Sequence, residues 1–275
     1  MHNPRLSGMA GVAIAALATA VPVTAQTLDY SGSLNYSTGE YFLAERSASL
    51  FFSNALGLSA GRFRLSASIP LILQSSPWLF YTSSASGGGG TAGSMTGTGS
   101  EVSVDTATQQ QIGIGDPMLF AGVELFGGPL APVSLRLMGN LKVPLGDVER
   151  GFSTGAWDYS AGLSLSGVLG ETLLFADVAY WIFGDPPGIV YRDPIAYSAG
   201  FGRPLAGGKL GLMAAIYGYT EVIEGVAPPV QASLSISYLI GWNRSLMGGV
   251  SFGLTDSSPD IAFSLGWSFA LTRAR

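Results

Sequence analysis

The chain has 275 residues, of which 47% are hydrophobic and only 11% charged, and its formal net charge is −5. An ordinary soluble domain carries about 25% charged residues, so a heavily solvated surface is excluded, and the lack of basic excess removes nucleic acid as a partner. With no cysteine and a single histidine, His2, disulfides, thiolate chemistry and cysteine-based metal sites are excluded as well.

The first stretch reads MHNPRLSGMAGVAIAALATAVPVTAQ. Arg5 supplies a positive start, residues 9–21 an apolar run, and Val23-Thr24-Ala25 a small-residue cleavage site. This predicts a secretory signal peptide over residues 1–25, cut after Ala25. Cleavage would remove His2. Beyond it no apolar run reaches the roughly 18 residues of a spanning helix, so the apolar residues must be spread by alternation.

Alternation runs through residues 26–275. In chain order the apolar parity holds Leu28, Tyr30, Leu34 and Tyr36; Ala48, Leu50, Phe52, Leu56 and Leu58; then Phe63, Leu65, Ala67, Ile69, Leu71 and Leu73. Leu119, Ala121, Val123 and Leu125 form a fourth run, and Val133 to Leu145 a fifth. Runs six to nine start at Trp157, Leu174, Ile195 and Leu210; the last three start at Val230, Leu246 and Ile261. The opposite parity is mostly Ser, Gly, Ala, Asn and charge. Strands of about 9–11 residues cross a bilayer at a tilt, and only a closed sheet satisfies its backbone in hydrocarbon. The expectation is an all-β fold: a transmembrane antiparallel up-and-down β-barrel of about 12 strands, in the outer membrane of a Gram-negative cell. Lipid and lipopolysaccharide are then its surroundings.

The connections alternate in length. SAGR (59–62), LGET (169–172) and GWNRS (241–245) are short; GDVERGFSTG, GDPPGIVYRD and EVIEGVAPP are long. The longest, 75–111, holds a Gly- and Ser-rich tract and is expected to be an extracellular loop. Pro70 falls inside the third run and cannot donate to a ladder, which predicts a bulge or bend there.

Parity also assigns the bore. A charge facing lipid near mid-bilayer costs about 2–4 kcal/mol, so Arg136, Asn140 and Lys142 turn inward, opposite Leu135 and Leu137. Arg62 and Arg64 are assigned inward from the third run, and Glu124, Asp158 and Asp177 from the fourth, sixth and seventh. These eight residues are the candidate lumen or constriction set, either pairing among themselves or narrowing the path of a solute. Phe175, Trp181, Phe183, Tyr217 and Tyr219 share the inward parity.

Five segments, GIGDPMLFAGVELFG (113–127), LRLMGNLKVPLGD (135–147), STGAWDYSAGLSLSG (153–167), FADVAYWIFGD (175–185) and GLTDSSPDIAFSLGWSF (253–269), stand in an order that resembles an outer-membrane family described as involved in the meta-pathway of phenol degradation. The resemblance implies a transporter barrel that passes small hydrophobic or aromatic compounds. One departure is the ending: Phe269 is followed by ALTRAR rather than closing the chain.

Without histidine or cysteine after cleavage, imidazole proton relay and thiol attack are unavailable, and the remaining carboxylate pairs, Asp147 with Glu149 and Glu221 with Glu224, read as solvated loop charge, so no enzyme is expected, and no metal or cofactor. With no nucleotide motif, passive diffusion is the expected mechanism. The alternatives are a structural or adhesive barrel with a closed lumen, or a general small-solute porin.

Overall fold

The computed structural model describes residues 26–40, 47–74, 82–83, 93–94, 111–127, 131–185, 190–241 and 243–271. The predicted signal peptide lies outside them, as does most of segment 75–111. A two-residue ladder, Thr82–Ser83 with Gly93–Ser94, stands apart from the main sheet. The strands of that main sheet are β1 (Gln26–Gly39), β2 (Ser47–Ala60), β3 (Phe63–Gln74), an interrupted β4 (Gln111–Ile114 and Met118–Phe126), β5 (Val133–Lys142) and β6 (Asp158–Leu169). After them come β7 (Thr172–Ile182), β8 (Ile195–Leu205), β9 (Leu210–Tyr219), β10 (Val230–Ile240), β11 (Arg244–Gly253) and β12 (Ile261–Ala270). Each pairs antiparallel with its neighbours in sequence, and β12 pairs with β1 from Asp29↔Ala270 to Thr38↔Ile261. The sheet is therefore a closed twelve-stranded up-and-down barrel with no free edge, as the alternation predicts.

The two faces differ as a membrane wall requires. On β7, Leu174, Val178 and Tyr180 are 44%, 47% and 49% exposed, whereas Asp177, Ala179 and Trp181 are 4%, 1% and 0% exposed. The exposed parity is the apolar one, the reverse of a soluble sheet, and that face is stable only against lipid. Both termini of the barrel lie at the short-turn end, which is periplasmic in outer-membrane barrels. Two of its turns, Gly61-Arg62 and Gly170-Glu171, open with glycine at φ +58° and +62°, the left-handed conformation that two-residue hairpins need. Leu271 still donates its N–H to Leu28 O at 2.7 Å, so the last ladder continues past Phe269.

Pro70 leaves its mark on the neighbouring strand. Pro70 stays in register with Ser53 of β2. On its other side β3 pairs Leu71↔Ile114 and then Ser68↔Met118, so β4 carries one residue more than β3 between these points. Gly115 N bonds to Pro70 O, at 2.9 Å. The extra residue is a bulge, and it reverses the parity of β4: Ile112 and Ile114 are exposed before it, and Glu124 faces the bore after it. At the break itself Asp116 is turned inside and is 2% exposed.

Candidate functional site

Asp116 begins the site. It accepts at Oδ1 from the N–H groups of Leu145 and Gly146, at 3.0 and 2.9 Å, and at Oδ2 from Ser153 Oγ at 2.9 Å. All three donors belong to the connection 143–157 between β5 and β6. One buried carboxylate thus draws that long loop into the bore instead of leaving it in solvent.

Lys142, the last residue of β5, completes the anchor. It is fully buried. Its Nζ lies 2.7 Å from Asp158 Oδ2 and 3.7 Å from Asp116 Oδ2, and it donates to Thr154 Oγ1 at 2.6 Å. Asp158 Oδ1 in turn accepts from Gly184 N at 3.0 Å, which ties in the start of the next long loop. A buried cation without a carboxylate would be untenable; here one cation stands between two. Phe152 carries the loop further across. It is fully buried against Phe51 and Ile72, and it lies over Gly113, where a Cβ would collide with the Phe152 ring.

A second group of side chains fills the neighbouring volume. Trp181, Phe183, Tyr191, Ala196 and Val222 form one buried cluster, with Met118, Tyr219 and Ile223 packed against it. Ring centroids are 5.5 Å apart for Trp181–Phe183, 6.2 Å for Phe183–Tyr191 and 6.3 Å for Phe183–Tyr219. Among the described residues, Trp181 Nε1 and Tyr191 Oη are buried with no hydrogen-bond partner. Burial pushes the Tyr191 phenol well above the usual tyrosine range, and the nearby Asp158 and Asp185 carboxylates add to the shift. At the loop surface Arg192 pairs with Glu221 at 3.0 Å and Glu224 at 3.1 Å; these exposed pairs contribute little to stability.

The buried loop and ring residues lie at the long-loop end of the barrel, the ring cluster among residues of β4 and β7 to β9 and the loops beside them, and Phe152 against Phe51 of β2 and Ile72 of β3. The wall from β10 round to β2 is different. Its inward positions include Ser233, Ser235 and Ser237 on β10, Gly249 and Ser251 on β11, Ser264 and Gly266 on β12, Ser31 and Ser33 on β1, and Ser53 and Ala55 on β2, with Gln231, Met247, Asp29, Asn35 and Phe51 as larger members of the same parity. Ser–Ser hydrogen bonds hold parts of it together, Ser37–Ser49 at 2.8 Å and Ser245–Ser268 at 2.7 Å.

The candidate lumen residues fall at three places. Lys142 and Asp158 meet in the anchor. Asn140, one step below, donates to Ser160 Oγ at 2.9 Å. Nearer the short-turn end, Arg136 donates from Nε to Glu124 Oε1 at 2.8 Å, with a second contact from Nη2, and Arg64 stands 3.9 Å from Asp29. Asp177 accepts from Ser198 Oγ at 2.6 Å. Arg62 is not on β3: it sits in the Gly61-Arg62 turn and is exposed, because β3 starts only at Phe63. The ion pairs inside the barrel join strands next to or near each other along the wall. Asp116, Thr154, Phe152, Tyr191 and Val222 escaped the sequence reading. Gly115-Asp116-Pro117 opposite Pro70 was the available signal for the first; the loop residues carry none.

No family model matches the chain, and no curated protein matches it. Solved structures do. An outer membrane channel from Pseudomonas putida F1 is similar at a TM-score of 0.64 and 12% identity, over 91% of this chain and 97% of that one. A KdgM porin in complex with disordered oligogalacturonate is similar at a TM-score of 0.50 and 9% identity, over 90% of this chain and 99% of that one. At these identities the likeness is one of fold, and the fold is that of Gram-negative outer-membrane channel and porin barrels.

Proposed function

We propose that this protein is a passive outer-membrane channel for small hydrophobic or aromatic solutes. The observation that carries the reading is the lopsided bore. A twelve-stranded barrel is wider than the eight-stranded kind that side chains fill. Here the folded-in loop and the ring cluster take up part of the long-loop end, and the wall from β10 round to β2 is lined mainly by Ser, Gly and Ala. A path along that wall would pass mainly small hydroxyl and glycine positions, a lining that could admit a small solute with one polar end. The segment order over 112–269 that resembles the phenol meta-pathway family supports the same solute class. In this reading the chain moves solute down its gradient.

The test is permeability of the purified protein. In planar bilayers it should give small, discrete conductance steps. Liposomes carrying it should take up phenol-sized aromatics faster than pentoses. Liposomes that stay tight to both would refute the channel and favour a closed structural barrel; equal uptake of sugars and aromatics would make it a general porin.

A further inference from the structure

The lipid-facing parity is apolar along almost every strand interior, and β2 breaks that rule at its centre. Asn54 is the eighth of the fourteen residues of Ser47–Ala60, on the same parity as Phe52 and Leu56. Cross-strand it faces Gly32 of β1 and Ile69 of β3. Tyr30 Oη donates to Asn54 Oδ1 at 2.7 Å, which holds the amide with its NH₂ group turned away. Among the described residues nothing accepts from that NH₂ group. Acyl chains carry no acceptor, and an unsatisfied polar group is costly in hydrocarbon.

The surroundings of Asn54 are aromatic and apolar. Gly32 has no side chain, and the Trp267 indole of β12 lies over it, where a Cβ would clash. The indole leans toward Phe52, with ring centroids 6.0 Å apart. Leu56 and Ile69, 55% and 52% exposed, rise on either side.

We propose that this β12–β1–β2 face is where a second copy of the chain docks within the membrane, with the two Asn54 amides pairing across a two-fold axis. An isologous contact brings the same residue of each subunit together, and a carboxamide is self-complementary: its NH₂ donates and its oxygen keeps a second lone pair after accepting from Tyr30. The interface needs nothing from the bore.

The chain has no cysteine, so single-cysteine variants report directly. Leu56→Cys sits beside the proposed axis, and Val178→Cys lies on the lipid face of β7, across the barrel. In native outer membranes under mild oxidation, Leu56→Cys should cross-link to a dimer at least five-fold more than Val178→Cys. Adding Asn54→Leu to Leu56→Cys should bring it down to the Val178→Cys level, while the heat-modifiable band of the folded barrel is kept. Native mass measurement of the unmodified protein in mild detergent should give a dimer, and Asn54→Leu a monomer. Equal cross-linking at the two positions, no effect of Asn54→Leu, or an unmodified monomer carrying lipopolysaccharide or another protein would overturn the proposal. None of these readouts depends on conduction.

Discussion

Replacing Lys142 by methionine isolates the anchor. Methionine keeps most of the side-chain length and removes the charge. In the native site one cation lies 2.7 Å from Asp158 and 3.7 Å from Asp116, with all three groups buried. The variant leaves two carboxylates facing each other without it. At an effective dielectric of about 20, two unit charges about 4 Å apart interact by about 4 kcal/mol, and breaking one partner out of a buried pair costs about 3–5 kcal/mol in practice. Asp116 retains its three donors from the loop and Asp158 only Gly184 N, so the strain falls mainly on Asp158. The expected result in urea unfolding from lipid vesicles is a loss of about 3–5 kcal/mol, with faster protease cutting between residues 147 and 155 and a larger single-channel conductance. The triple variant Lys142→Met, Asp116→Asn, Asp158→Asn removes the unpaired charge and should regain most of that loss. If Lys142→Met unfolds within about 1 kcal/mol of the parent and conducts identically, the ion pair does not hold the loop in the bore and the account of the site fails.

Three other outcomes follow from the same geometry. Trp181→Ala should cost about 3–5 kcal/mol through the cavity left in the ring cluster and raise conductance; unchanged conductance would place the cluster off the solute path. Gly113→Val should push Phe152 out of its seat, at a cost of about 1–3 kcal/mol from overpacking, visible in the unfolding midpoint, while Gly113→Ala should show a smaller part of it. Leu163→Arg on the lipid face of β6 should cost about 2–4 kcal/mol, whereas Ser160→Arg on the bore side should cost much less and alter ion selectivity; similar losses at both positions would contradict the assignment of faces.

What the chain alone determines is the wall. Side chains of a strand alternate with period two, and hydrocarbon rejects charge and unpaired backbone. Twelve alternating runs therefore had one consistent solution, a closed barrel with Arg136, Asn140 and Lys142 turned away from lipid, and all twelve runs became strands. Arg62 slipped because parity carries no information about where a strand begins: the turn claimed it. Pro70 announced an irregularity, but not its location, since the missing donor is a defect of the pair and the neighbouring β4 absorbed it. Only the assembled barrel decided the interior. Residues 116, 142, 154 and 158 come from a bulge, two strand ends and a loop, and no local pattern tells a loop whether to fold inward. That choice was made by a buried carboxylate with three loop donors and by Phe152 finding the space above Gly113, contacts between segments that meet only once the sheet has closed.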